Sequence, residues 1–425
     1  MTEAAPSGVI LRLYGLVSRL AAPFAEGHLR KRLARGKEIP ERWREKLGEA
    51  SASRPEGTLV WMHAVGLGEV LALRGLIDEM ARTRPDLHFL VTSSARASGE
   101  VFDRNRPPRT QHQFLPLDFA PAIGRFLDHW RPDLSVWAEQ DLWPGLVVET
   151  HRRGIPLAMV NARMSARAFR SRKRARRLYG DLYIRFAMVG AQDEATAAHL
   201  KALCPGLDVT VMGSLKAACS PLSDAAEERA ALSSRLSGRW LWLAAPTHAA
   251  DEAIALAAQS VRFANDPASL LILAPRVPSR RDEIISACAA HGFGVAVRSE
   301  GEVPGQDDAV WLADTFGEMG LWYRMCPVSL IGGSFGETGG HNPWEAAGLG
   351  SAILHGPVTT NFLADYAALD GAGAAREVAD TVQLLEALDA PDLAALAGMA
   401  REVQEKARVG ARIAADRLLD LIGPR

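Results

Sequence analysis

Cysteine is scarce in this chain. Cys204, Cys219, Cys288 and Cys326 lie far apart, and no Cys-x-x-Cys pair occurs. That argues against a disulfide framework and a cysteine-built zinc site, and it fits a reducing compartment. Net charge is lacking as well. The 49 basic and 50 acidic residues give −1, so no global field points to nucleic acid. No Asp-x-Asp element and no short-period repeat are visible. Nor is there a run apolar enough to span a bilayer, which takes about 20 residues. The nearest, VILRLYGLVSRLAAPF at 9–24, is broken by Arg12 and Arg19. It has no small-residue cleavage site and does not read as a signal peptide.

What is present is globular. A chain of 425 residues, 48% hydrophobic and 23% charged, exceeds one ordinary core and implies two domains, or three. The 9–24 stretch is followed by Arg30, Lys31, Arg32, Arg35 and Lys37. An apolar helical face with a basic flank can lie in a membrane interface, or pack on its own domain.

From residue 58 short apolar runs alternate with helical stretches. TLVWMHAV, LHFLVTSS, HQFLPL, DLSVWAE, PLAMVNA, FAMVGAQ and DVTVMGS read as strands. The small, polar stretch 214–239 breaks the rhythm and reads as a linker with an exposed helix. Strands resume at RWLWLAAP, SLLILAPR, GVAVRS, AVWLAD, VSLIGG and SAILHG. Apolar runs without strict alternation imply strands covered on both faces, joined by right-handed crossovers in parallel sheets. The expected architecture is α/β, two doubly wound halves facing a cleft, with ligands beyond the carboxyl ends of the strands.

Chemistry-bearing residues gather at those strand ends. In IGGSFGETGGHNPWEAAGLG (331–350), Gly333 and Ser334 sit in a glycine-rich corner, where backbone amides can bind an anion. His341, Asn342 and Glu345 follow; Asn342 and Glu345 fit a capping box, or ribose recognition by Glu345. The loop is not Gly-x-Gly-x-x-Gly, which counts against a Rossmann dinucleotide site. Arg276 ends LILAPR, Lys216 ends VMGSLK, and ADTFGEMG places Gly317, Glu318, Met319 and Gly320 before a helix. Together they describe a pocket for a nucleotide bearing a phosphate. In the first half, Glu69 follows the HAVGLG turn, as a helix-start acid or as a site. Glu139, Gln140 and Asp141 cluster in AEQDLWPG, as caps or as ligands. Eight basic residues lie between Arg163 and Arg177. Such a run, with Arg170 and Lys173 in it, is a solvated face or a contact for lipid phosphates; no aromatic interleaving supports nucleic acid.

These stretches resemble the Kdo transferases of lipopolysaccharide synthesis, which move 3-deoxy-D-manno-octulosonic acid (Kdo) from CMP-Kdo to a lipid A precursor. PERWREKLG, HAVGLGEV, RPDLSVWAEQDLWPGL, RGIPLAMVNARMSARAFR, GSLK, LAAPTHAADE, LILAPRVPSR, DTFGEMG and GGSFGETGGHNPWEAAGLG stand in family order. The similarity covers nearly the whole chain. It implies a GT-B type glycosyltransferase of two Rossmann-like domains. Residues 1–50 become a membrane-associating segment, 51–217 the acceptor domain, 218–395 the CMP-sugar domain and 396–425 a C-terminal helix. The resemblance makes Glu69 the catalytic base. It puts Lys216, Arg276, the Gly317–Gly320 loop, Gly333, Ser334, His341, Asn342 and Glu345 around CMP. Glu139, Asp141, Arg163, Arg170 and Lys173 fall on the acceptor side. It further implies inversion, no metal or other cofactor, and a place on the cytoplasmic face of the inner membrane. Gly66, Gln140, Pro246, Val277 and Thr338 depart from the family pattern. A two-domain enzyme using a UDP sugar, and a non-catalytic lipid-A-binding regulator, are the alternatives.

Overall fold

The computed structural model describes residues 8–423 apart from 66, 95, 97, 98, 100, 101, 103–105, 140, 141 and 219–221. The side chains of 21, 22, 67–69, 71, 216 and 218 also lie outside the description. The chain divides into two compact units, residues 1–220 with 407–425, and residues 221–406.

The first unit holds seven parallel strands: β1 Leu59–His63, β2 His88–Ser93, β3 Thr110–Phe114, β4 Leu134–Ala138, β5 Leu157–Ala162, β6 Phe186–Ala191 and β7 Val209–Val211. Their order is β3-β2-β1-β4-β5-β6-β7. Every residue of β1, β4 and β5 is buried, as expected for strands covered on both faces. Alternate residues of β1 enter different cores. Val60 and Met62 pack with Val70, Leu73 and Leu76 of the helix Leu67–Thr83. Leu59 and Trp61 pack with Phe126, Trp130 and Leu146 of the helices Ala120–Trp130 and Pro144–Arg152.

The helix Val9–Ala34 lies on this unit through Leu11 and Leu29. The Tyr14 hydroxyl donates to Asp118 Oδ2 at 2.6 Å. Asp118 also accepts from the amides of Gly145 and Leu146, at 2.9 and 2.8 Å, at the start of Pro144–Arg152. The opposite face of Val9–Ala34 carries Val9, Leu13, Leu16, Val17, Leu20 and Phe24, all exposed. No helix among the described residues is long and apolar enough to cross a membrane.

The second unit repeats the plan with β8 Trp240–Thr247, β9 Ser269–Pro275, β10 Gly294–Val297, β11 Asp308–Leu312, β12 Val328–Ile331, β13 Ala352–His355 and β14 Ala375–Glu377. These strands are also parallel, in the order β10-β11-β9-β8-β12-β13-β14. Thirteen of the strands overlap the apolar runs named above, although β3, β8 and β11 extend one or two residues beyond theirs. β14 overlaps none: it is an edge strand of three residues, Ala375, Arg376 and Glu377, with too little apolar content to register. In the 214–239 stretch the helix Ala226–Arg235 buries only Leu232.

Candidate active site

In a doubly wound sheet, ligands collect where the strand order reverses, beyond the carboxyl ends. The first unit reverses between β1 and β4, the second between β8 and β12. Both points carry polar side chains.

In the second unit, the corner after β12 closes on β8. The Gly332 amide donates to Ala245 O at 3.2 Å. A Cβ on Gly332 would stand 2.0 Å from Pro246 O, so only glycine fits there. The Asp251 carboxylate in the first turn of Ala249–Asn265 then takes four backbone hydrogens. Oδ2 accepts from His248 and Gly333 at 2.9 and 2.7 Å. Oδ1 accepts from Ser334 and Phe335 at 3.1 and 3.2 Å. This corrects the sequence expectation: the corner amides of Gly333 and Ser334 hold the protein's own carboxylate and are not available to a phosphate. The Ser334 hydroxyl is likewise committed, donating to Ile331 O at 2.6 Å and accepting from the Gly356 amide at 2.8 Å.

Beside this corner His341 stacks on His248, ring centroids 5.2 Å apart. Their Nε2 atoms are 3.1 Å apart, so one must donate and the other accept; both rings cannot be charged in this arrangement. Burial, with the neighbouring His248 and Arg276 charges, pulls His341 from its ordinary 6.5 down to about 4. Tyr366 holds its loop by donating to His341 O at 2.9 Å. Glu345 shifts upward through burial, opposed by the Asn342 amide and the Arg276 charge. Arg276 is therefore felt by His341 and Glu345 alike. Its exposed guanidinium has no hydrogen bond or ion pair among the described residues. The expected capping box is not closed. Asn342 Oδ1 accepts from the Trp344 amide at 3.1 Å, and its Nδ2 reaches Glu345 only at 3.5 Å.

The Gly317–Gly320 segment is arranged differently. Gly317 is exposed at φ 89°, and Met319 opens the helix Met319–Met325. A Cβ on Gly320 would lie 2.1 Å from Ser223 O. Glu318 is clamped by Arg298, at 3.1 and 2.7 Å, and by the Thr315 hydroxyl. Those bonds hold its pKa low in spite of burial. Arg298 also pairs with Glu228. Glu318 thus fixes the loop, and its carboxylate is already occupied.

In the first unit, β1 ends at His63, which is 1% exposed. Its Nδ1 lies 3.1 Å from Thr92 O and 3.0 Å from the Thr92 hydroxyl. Nε2 is buried and has no hydrogen-bond partner among the described residues. Burial lowers His63 to about 4, so it is neutral at physiological pH. Glu69 lies in the first turn of Leu67–Thr83, and its side chain is outside the described residues. The same holds for Asp141 and for the Lys216 side chain, whose backbone belongs to the short helix Leu215–Ala218. Glu139 follows β4 with a left-handed φ of 61°. Its neighbour Asn161, in β5, has φ 55° and reaches Glu139 Oε1 at 3.4 Å. Arg163 is exposed. Arg170 and Lys173 lie exposed on Ala166–Arg174, a helix that buries no residue.

Sequence reasoning missed Asp251, His248, His63 and Asn161. For Asp251 a signal existed, an acid three residues after His248 at a helix start. Asn161 offered only the tolerance of asparagine for left-handed backbone. Among the described residues no group of three or more His, Cys, Asp or Glu is gathered as a metal would require.

The family described as 3-Deoxy-D-manno-octulosonic-acid transferase (kdotransferase) matches residues 41–219. A probable 3-deoxy-D-manno-octulosonic acid transferase of Arabidopsis thaliana, mitochondrial, is 32% identical over 89% of this chain and 87% of its own length. A 3-deoxy-D-manno-octulosonic acid transferase of Rickettsia bellii is 33% identical, covering 82% of each chain. In fold, the chain is similar to UDP-GlcNAc 2-epimerase from Neisseria meningitidis, with a TM-score of 0.54 over 86% of this chain and 99% of that one, at 13% identity. The two sheets share the GT-B-like architecture. Identity of this depth and extent shows that the chain belongs to the 3-deoxy-D-manno-octulosonic acid transferase family.

Proposed function

We propose that the protein is a glycosyltransferase of lipopolysaccharide synthesis that moves Kdo from CMP-Kdo to a lipid A precursor with inversion. The observation that carries this reading is the 32% identity to a Kdo transferase across 89% of the chain. The reversal points give it a physical frame. Glu69, in the first helical turn after β1, takes the proton of an acceptor hydroxyl. That oxygen bonds to the anomeric carbon of Kdo, and the bond from that carbon to the CMP phosphate oxygen breaks with its electron pair. Charge on the departing phosphate is met by the unpaired Arg276, with Lys216 as a second cation and no step assigned to a metal. His341, neutral and stacked on His248, and Glu345 face the nucleoside, with Glu345 accepting from ribose. Gly333, Ser334 and Glu318 shape that pocket through the bonds described above. Glu139 and Asp141 meet the acceptor sugar. Arg163, Arg170 and Lys173 meet its phosphates or anionic lipid, and the outer strip of Val9–Ala34 rests in the cytoplasmic leaflet of the inner membrane.

The test incubates purified protein with CMP-Kdo and a lipid A precursor and reads products by mass spectrometry. A Kdo mass increment is expected, and Glu69→Gln should lower the rate by about 10²–10⁴-fold, the usual contribution of a positioned base. No product, or tighter calorimetric binding of UDP than of CMP, overturns the donor assignment. Full activity in Glu69→Gln overturns the base.

A further inference from the structure

Among the four described non-glycine residues with left-handed backbone, Glu139 and Asn161 are the two that meet. They stand at the carboxyl ends of neighbouring strands, since β4 pairs with β5 up to Ala138 and Val160. The β5–β6 register slips between Met159 and Ala162, which makes Asn161 a bulge. Bulges beside functional sites re-aim side chains, and left-handed non-glycine backbone costs about 1–3 kcal/mol that the surroundings must offset. Three bonds hold Asn161, which is 3% exposed. Its Oδ1 accepts from the Leu215 amide at 3.0 Å, its main-chain O accepts from Gln192 Nε2 at 3.1 Å, and its Nδ2 donates to Glu139 Oε1 at 3.4 Å. A backbone amide can only donate, so the side-chain oxygen must face Leu215 and the NH₂ must face Glu139. The Glu139 amide is pinned as well, donating to Val160 O at 2.9 Å.

We propose that Asn161 is a positioning residue for the acceptor side. Its amide sets the Glu139 carboxylate and the turn bearing Lys216 as one unit. This rests on the acceptor-side reading of Glu139. The Asn161 amide bridges two groups distant in sequence, and its left-handed bulge gives the amide that reach.

The experiment measures steady-state transfer for wild type, Asn161→Gly and Asn161→Asp, varying CMP-Kdo and lipid A precursor separately. Glycine adopts the backbone without strain but loses both amide bonds. Aspartate tolerates the left-handed region and keeps the bond to Leu215, but it replaces the donor to Glu139 with a second acid. Both variants should raise the acceptor KM about tenfold or more, as expected for losing a hydrogen bond to a charged group, and Asn161→Asp, which keeps the bond to Leu215 beside Lys216, should leave the donor KM within about twofold. Thermal melting of each variant separates this from general unfolding. Wild-type KM values in Asn161→Gly, even with a lower melting temperature, would make the residue merely structural and overturn the proposal. A wild-type acceptor KM in Asn161→Asp would overturn the link to Glu139. Failure of the parent reading looks different: wild type itself then makes no product from CMP-Kdo.

Discussion

Asp251 is wholly buried, and each of its carboxylate oxygens takes two backbone hydrogens. Burying a charge without such partners would cost several kcal/mol. Removing the carboxylate reverses the problem by leaving the His248, Gly333, Ser334 and Phe335 amides without it. Each buried donor left unsatisfied costs about 1–3 kcal/mol, although water entering the space recovers part of that. Asp251→Ala should therefore lower the unfolding free energy by about 3 kcal/mol or more in a denaturant titration. The same variant should weaken CMP binding by calorimetry, because the loop leading to His341 loses its fixed point. A variant as stable as wild type would mean that the corner is held by something else. The sequence showed the glycines and the histidine but not this residue. Its Gly333 partner lies 82 positions away, a separation at which local periodicity and cap spacing carry no information.

At the scale of one element, Val9–Ala34 has two apolar faces. Leu11 and Leu29 are buried against the first unit, and Tyr14 is tied to Asp118. Val9, Leu20 and Phe24 are 81%, 68% and 76% exposed, with Leu13, Leu16 and Val17 between them. Sequence periodicity left two readings open, a helix packed on its own domain and an interfacial one. The inner face satisfies the first, and an outer strip of this size is the surface the second requires. The Gly8 amide donates to Asp181 Oδ2 at 3.0 Å, fastening the start of the helix to Arg176–Tyr183, beside the basic run. The outer apolar strip and the basic run thus lie on neighbouring elements. Leu16→Glu with Leu20→Glu should reduce sedimentation with anionic vesicles by more than tenfold, since burying a leucine contributes about 1.5–3 kcal/mol. The melting temperature should not change, because both side chains already face water. Undiminished vesicle binding would remove this strip from any membrane role.

Across the whole molecule, the chain leaves the first unit at residue 220 and returns to it at 407. The return is one continuous helix, Leu393–Ile422. Its helical pattern and its length are legible in the sequence, as is nearly every strand, because each depends on neighbours a few residues away. What the helix packs against is a long-range fact and was not legible. Its early part donates Leu396 and Ala397 to the second unit's core. Its later part places Ala411, Ala414, Ala415 and Leu418 among Val60, Met62, Leu73 and Leu76 of the first. The approach is close: a Cβ on Gly410 would stand 1.7 Å from Met212 O. Residues 1–220 are therefore a core with one wall missing. Leu418 alone contributes about 2 kcal/mol through burial, and the three alanines add to it. A chain ending at Lys406 should keep the second unit's part of the helix, including Gln404 Nε2, which donates to Trp344 O at 2.9 Å. Hydrogen exchange read by peptide should then show β1 and β4 losing protection while β8 and β12 retain theirs. Equal loss in both sheets would mean that they unfold as one cooperative unit. Unchanged protection in β1 would mean that the terminal turns are dispensable to the core they enter.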